Sequence, residues 1–255
     1  FGKGIGNSTG IAQTFTFAGS FDGGGHIIRN YYTSYAWDLR AMGLFGITED
    51  AAIVNLGMEN AKINVANSSA TFGYAVLVGK AYGSLSLGNC YVRNSTVEVT
   101  NNIGADSDMG LGILTGSIGY DKNSDAAHSI DNCYAVNNTM TYSGESTPRQ
   151  FKKSAVFGKT AAYGIDVNNC YASGLVFVNI TASTYSNRTN NLFTPSANGS
   201  TSFSSKGSNC FVEGEQPAAS VDYLKHGDAF TAVTADELKA LPNGLNSKGA
   251  YDTRY

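Results

Sequence analysis

The chain has little charge and no long apolar run, and each shortage excludes a class of protein. Of its 255 residues, 15% are charged and the net charge is −3, so it lacks the basic surface that nucleic-acid binding requires. No run approaches the roughly 18 consecutive apolar residues of a membrane-spanning helix. Hydrophobic residues still make up 42%, which is enough to fill a core and argues against disorder.

The rest of the composition is that of an extracellular β-protein rather than a helical cytosolic enzyme. The chain has 30 glycines but only 4 prolines, and Ser, Thr, Asn and Tyr are abundant. No signal peptide is present at Phe1, but a secreted protein would have lost its leader, so this absence does not indicate the cytoplasm. We interpret the chain as the mature or ordered part of something longer. These features predict a secreted or cell-surface location.

The chain does contain a repeated signature: an apolar residue, a spacer, an asparagine, and then cysteine or leucine. It recurs every 34 to 43 residues, at Ile53–Leu56, Leu87–Cys90, Ile130–Cys133, Val167–Cys170 and, more weakly, Gly207–Cys210. A short apolar run precedes most copies and an alternating run follows them, with no helical pattern between. Such a period predicts a stack of similar coils, each with three short strands, in an all-β, three-sided solenoid.

The predicted solenoid has about six coils and occupies residues 1–222. Its first coil covers 13–40, and repeats start near 43, 75, 112, 155 and 191. Residues 223–255 form a C-terminal cap or tail, with a strand at 229–233 and then a short helix. That helix begins at a capping box, Thr234 to Glu237, and ends before Pro242.

The repeated asparagines and cysteines are predicted to form two structural ladders. The asparagines would lie at bends, because Asn tolerates left-handed backbone angles, and their amides could hydrogen-bond from coil to coil. Buried thiols are the preferred interpretation of the cysteines, although parallel strands about 4.8 Å apart leave disulfides open. Spacings of 43, 37 and 40 residues argue against a Cys₄ zinc site. The ladder residues are Asn55, Asn89, Asn132, Asn169 and Asn209, with Cys90, Cys133, Cys170 and Cys210.

The aromatic residue after each cysteine is the main candidate for ligand binding. Tyr91, Tyr134, Tyr171 and Phe211 occupy matching positions and, if the cysteines point inward, these rings point outward. Such a row could stack on sugar rings or bury against a partner; alternatively, the rings cover their own sheet and stack on each other. Trp37, in a loop beside the first coil, is a further contact candidate; the alternative is that it plugs the open N-terminal end of the stack.

One strand is predicted to be an interface because it is apolar on both faces. Leu175, Phe177 and Ile180 belong to the run 175–180, in which a strand that ought to have a wet side has none. Either the following loop or another molecule would cover it. Self-association through uncovered coil ends is also possible, since such ends expose unpaired backbone groups.

Catalysis is not expected from these residues. Parallel β-helices can host polysaccharide-cleaving enzymes, but those need converging carboxylates, and Asp106, Asp108 and Asp121 are the nearest candidates. The three histidines fall in unrelated contexts, and no metal-binding or phosphate-binding motif occurs. We therefore expect no cofactor and no metal.

Several segments resemble the GLUG-motif surface proteins of Bacteroidetes. The segment 17–28, the run Gly43–Gly46, the Asn-Cys-Tyr-Ala steps at 132–135 and 169–172, and the closing segment 229–241 carry the resemblance. It implies a right-handed parallel β-helix on an exported adhesin, a family without shared catalytic residues. We therefore expect a non-catalytic module that binds a surface glycan or a host protein. The alternatives are a structural subunit of a surface fibre and, less favoured, a polysaccharide lyase or hydrolase.

Overall fold

The described part of the chain is an all-β parallel solenoid. This computed structural model describes residues 8–9, 13–14, 16–35, 41–66, 72–101, 108–118, 126–144, 150–154, 157–160, 165–178, 206–208, 210–213 and 230–233. Every strand pairing among them is parallel, apart from one antiparallel pair near the N-terminus. About three turns are described, over 41–66, 72–101, 108–118 and 126–144. The all-β parallel solenoid predicted from the repeat is therefore confirmed.

The strands follow one another coil by coil without an intervening helix in the described residues. The antiparallel pair is β1 (Ser8–Thr9) and β2 (Gln13–Thr14), and the first coil contains β3 (Phe17–Arg29) and β4 (Tyr32–Tyr35). The second coil has β5 (Ala41–Met42), β6 (Phe45–Glu59) and β7 (Lys62–Ala66). The third has β8 (Phe72–Tyr74), β9 (Val78–Gly88), β10 (Tyr91–Arg93) and β11 (Thr96–Asn101).

Later coils repeat this order. The fourth contains β12 (Asp108–Gly112), β13 (Thr115–Ile118), β14 (His128–Asp131), β15 (Tyr134–Val136) and β16 (Thr139–Gly144). The fifth contains β17 (Gln150–Ser154), β18 (Phe157–Thr160), β19 (Ile165–Asn168), β20 (Tyr171–Ser173) and β21 (Val176–Val178). Three further strands extend the stack: β22 (Lys206–Ser208), β23 (Cys210–Glu213) and β24 (Phe230–Val233).

Three parallel sheets run along the stack because equivalent strands of successive coils pair. One sheet has 13 strands, one has the five strands β21-β16-β11-β7-β4, and one has the four strands β17-β12-β8-β5. The long strands β6 and β9 continue through a bend in the largest sheet. The strand expected at 229–233 is present as β24, which pairs in parallel with β23.

Each coil bends at asparagines in the left-handed conformation. The first bend of successive coils has φ of 55°, 52°, 53° and 53° at Asn55, Asn89, Asn132 and Asn169. A second bend follows five residues later, at Asn60, Asn94, Asn137 and Gly174. Asn and Gly enter this region at little cost, unlike other residues. The second set was missed from the sequence, although the same five-residue spacing recurs in each copy.

The core consists of inward-facing columns between these bends. Ile53, Leu87, Ile130 and Val167 pair in register along the stack, and each is at most 1% exposed. Burying each such side chain contributes about 1.5–3 kcal/mol. The apolar residue of the repeated signature therefore belongs to the core in these four copies.

Some predicted features lie outside the described residues. These are Trp37, Ile180, Asn209, Asp106, Asp121, the last repeat near 191 and the helix expected at 234–241. Within the described part of the chain, no helix is long and apolar enough to cross a membrane.

Candidate functional site

The asparagine ladder is held by side-chain hydrogen bonds between coils. Asn89 Nδ2 donates to Asn55 Oδ1 at 2.9 Å, and Asn55 Nδ2 donates to Asp22 Oδ1 at 3.0 Å. Higher in the stack, Asn169 Nδ2 donates to Asp131 Oδ1 at 2.9 Å. These amides therefore join one coil to the next, which explains their recurrence without a ligand.

The four cysteines are buried and carry reduced thiols. The Sγ atoms of Cys90, Cys133 and Cys170 donate to carbonyl oxygens two residues earlier, at 3.3, 3.3 and 3.1 Å. Burial raises the pKa of Cys133 and of Cys170 well above the usual range for a thiol. Such thiols stay protonated and do not act as nucleophiles. Among the described residues, no group of three or more His, Cys, Asp or Glu side chains could hold a metal ion.

The tyrosines after the cysteines form a continuous stack. The rings of Tyr91 and Tyr134 are parallel within 1°, with centroids 4.7 Å apart, and those of Tyr134 and Tyr171 lie 5.0 Å apart at 13°. Only 2% of Tyr134 is exposed, and burial raises the pKa of Tyr171. Phe211 continues the backbone register beside Tyr171. The middle ring therefore presents neither of its faces to solvent.

A glycine makes room for the first ring of this stack. Gly57 pairs with Tyr91 in the register, and a Cβ at this position would lie 2.6 Å from Tyr91 Oη and closer still to two ring carbons. The stacked arrangement is the alternative that the sequence left open. A ligand-binding role of the tyrosines stays a prediction, and the two faces of the Tyr134 ring are not available to a ligand.

A charged cluster lies next to the tyrosine stack on the same outward face. The carboxylate of Glu59 accepts from Arg29 Nε, from Arg93 Nη2 and from the Tyr91 hydroxyl, each at 2.9 Å. Burial alone would raise the pKa of Glu59, but the hydrogen bonds from Arg93, Tyr91 and Arg29 outweigh it and hold that pKa below its usual range. The cluster was missed from the sequence. The signal that could have revealed it is the alternation of charge at matching positions of three successive coils, Arg29, Glu59 and Arg93.

A shallow groove crosses the strands on the other side of the first bend. Its volume is about 290 Å³, and its polar lining consists of Ser20, Asp50, Ser84, Ser86, Ser129 and Asp166. Much of this lining is an outward column, since Ser86, Ser129 and Asp166 pair in register on β9, β14 and β19. Small residues at these positions leave the depression open. The sequence analysis did not single out this groove.

Hydrogen bonds fix the hydroxyls of the groove. Asp50 has a left-handed backbone, with φ of 51°, and its Oδ1 accepts from the backbone N–H of Ser84 at 2.8 Å and from the Ser84 hydroxyl at 3.0 Å. These bonds lower the pKa of the exposed Asp50 carboxyl. Ser129 Oγ donates to Ser86 Oγ at 2.9 Å. The groove therefore offers oriented donors and acceptors to a polar ligand.

His128 borders this groove but is itself buried. Only 2% of the residue is exposed, and its Nδ1 accepts the backbone N–H of Leu85 at 3.2 Å. Desolvation lowers the pKa of His128 to about 4, so the imidazole is neutral near neutral pH. It is paired in register with Leu85, a core position, so the alternation of the repeat places this histidine inside.

The predicted interface strand has one exposed side in the structure. Leu175 packs against the core, whereas Val176 and Val178 are 51% and 36% exposed. The backbone of Phe177 pairs with that of Met140. Among the described strands, β21 lies at the end of its sheet. An interface role for this strand stays a prediction.

Comparisons with known proteins add only a likeness of fold. No protein-family model and no curated protein matches the chain. The chain is similar in structure to the crystal structure of a "putative immunoglobulin A1 protease" from Bacteroides ovatus. Its identity is 17% and its TM-score 0.49, and the match covers 92% of this chain and 74% of the other. At this level the likeness carries no argument about function, and the GLUG resemblance stays a prediction.

Proposed function

We propose that this protein is a non-catalytic glycan-binding or adhesion module of a secreted or cell-surface protein. The observation that carries the proposal is the hydroxyl- and carboxylate-lined groove across β9, β14 and β19. Sugars present rows of hydroxyl groups, and each of these both donates and accepts a hydrogen bond. Serine hydroxyls and ionised carboxylates supply the complementary groups.

Rigidity of the scaffold supports this assignment. Except for Ser20 on β3, the polar groove residues are on strands that pair with neighbours on both sides, so most of the lining is positioned before a ligand arrives. Pre-organised groups lose less conformational entropy on binding than mobile ones. The repeated coils would also place similar groups at regular intervals, which suits an extended polymer of repeating sugars.

For the finer architecture of the solenoid, we propose right-handed winding, about six coils and a C-terminal cap.

Blocking the groove tests the proposal. Ser129→Tyr on β14 places a ring in the depression, while Thr141→Tyr places the same ring on an outward position of another sheet in the same coil. On a glycan array, wild type and Thr141→Tyr should bind the same glycans and Ser129→Tyr should lose them. Undiminished binding by a folded Ser129→Tyr protein would remove the groove as the contact surface.

A second candidate function is that of a structural subunit in a surface assembly. The exposed Val176 and Val178 favour it, because β21 is the terminal strand of its sheet among the described residues and a strand edge with apolar side chains invites addition of another strand. Light scattering after size-exclusion chromatography should then show concentration-dependent association. Val176→Lys should abolish that association, and a wild type that stays monomeric at high concentration contradicts this function.

A further inference from the structure

The cluster around Glu59 carries one more positive than negative charge. Arg29 and Arg93 lie on the strands that flank Glu59, and both guanidinium groups bond to its single carboxylate. Arginine stays charged at all ordinary pH values, and three hydrogen bonds keep Glu59 ionised. The next two positions of this column, Val136 and Ser173, are uncharged. A net positive site therefore remains on the surface.

Arg29 is the accessible member of the cluster. Its side chain is 53% exposed, against 16% for Arg93 and 5% for Glu59. Among the described residues, the hydrogen bond of Arg29 to Glu59 uses Nε, so the terminal amino groups of the guanidinium stay available to a ligand. Because the bond to Glu59 already orients this side chain, an anion that binds it loses little rotamer entropy.

The surroundings of Arg29 suit the ring of a sugar. Ile27 and Tyr91 lie two residues before Arg29 and Arg93, so strand alternation places all four on the same outward face. The Tyr91 hydroxyl bonds to Glu59, which fixes the edge of the tyrosine stack beside the charges. A ligand on Arg29 would therefore meet an apolar surface next to the guanidinium.

From this arrangement we propose that Arg29, supported by Glu59 and Arg93, is a subsite for the carboxylate of an acidic sugar in a bound glycan. The planar, forked guanidinium matches a carboxylate with two parallel hydrogen bonds. This inference rests on the proposed glycan-binding function and names the class of glycan. It lies on the other side of the Asn55–Asn89 bend from the groove, so a polymer that follows the surface could occupy both.

The test compares one oligosaccharide with and without its charge. Trigalacturonate and its fully methyl-esterified form differ only in the carboxylates, and binding of each is measured by isothermal titration calorimetry. Wild type should bind the acid about tenfold more tightly than the ester, as expected for one charge-assisted contact. Arg29→Gln should remove this preference, and added salt should weaken it. Lys62→Gln removes another half-exposed cation, 48% exposed and paired with Glu98, and should keep the preference.

The possible results separate the subsite from the function. Equal affinity of wild type for acid and ester overturns the subsite, as does a folded Arg29→Gln variant that retains the preference. If wild type binds acid and ester equally and Ser129→Tyr abolishes that binding, the glycan-binding function stands while the subsite fails. If wild type binds neither the acid nor the ester, the subsite is overturned. If it also binds no glycan on the array, the proposed function is overturned as well. Thermal unfolding of each variant confirms that it is folded.

Discussion

Removing the middle ring of the tyrosine stack should strongly destabilise the solenoid. Tyr134 is 2% exposed and lies between Tyr91 and Tyr171, with ring centroids 4.7 and 5.0 Å away. Truncating a buried aromatic side chain to alanine costs about 3–5 kcal/mol. Each stacking contact contributes about 0.5–1.5 kcal/mol beyond area burial. We therefore expect Tyr134→Ala to lower the free energy of unfolding by about 3–5 kcal/mol.

The assay is urea denaturation followed by far-ultraviolet circular dichroism. Tyr32→Ala is the matched control because Tyr32 is 53% exposed, and it should change the free energy of unfolding by at most about 0.5 kcal/mol. Tyr134→Phe keeps the stacked ring and should lower the free energy of unfolding far less than Tyr134→Ala. If Tyr134→Ala is no more costly than Tyr32→Ala, the ring is not part of a buried stack and the packing argument fails.

Two further predictions concern Gly57 and His128. Gly57→Ala should lower the free energy of unfolding by about 1–3 kcal/mol because its Cβ would clash with the Tyr91 ring. In a Tyr91→Ala background the ring is absent, so Gly57→Ala should cause much less further destabilisation. His128 has a folded pKa of about 4 and a usual value of 6.5, so the unfolded chain binds more protons between these values. Stability should fall by up to about 3 kcal/mol as the pH drops from 6.5 to 4. His128→Gln should flatten this pH profile, and an unchanged profile in His128→Gln contradicts the assignment.

Much of the fold could be predicted because its causes are local. An asparagine at a bend and an apolar residue two positions earlier set each coil, and both are visible in the repeated signature. The second bend at Asn60, Asn94 and Asn137 has the same local cause. It was overlooked because these asparagines are not followed by cysteine.

The candidate site was harder to predict because its residues are distant in sequence. The groove depends on several small outward side chains in register on successive coils, and it was not predicted at all. The outward direction of the tyrosines was a reasonable expectation from strand alternation. Whether their faces meet a ligand or each other depends on the spacing between coils, which a single coil does not reveal.

The amino-acid sequence by itself determined that the chain is a parallel β-solenoid with bends at asparagines and an apolar interior. These features follow from backbone preference and from alternation within one coil. Only the tertiary structure decided that Tyr91, Tyr134 and Tyr171 stack and that Glu59 joins two arginines. The physical reason is register: the spacing of the repeats varies from 34 to 43 residues, and the hydrogen bonds between coils determine which outward side chains become neighbours.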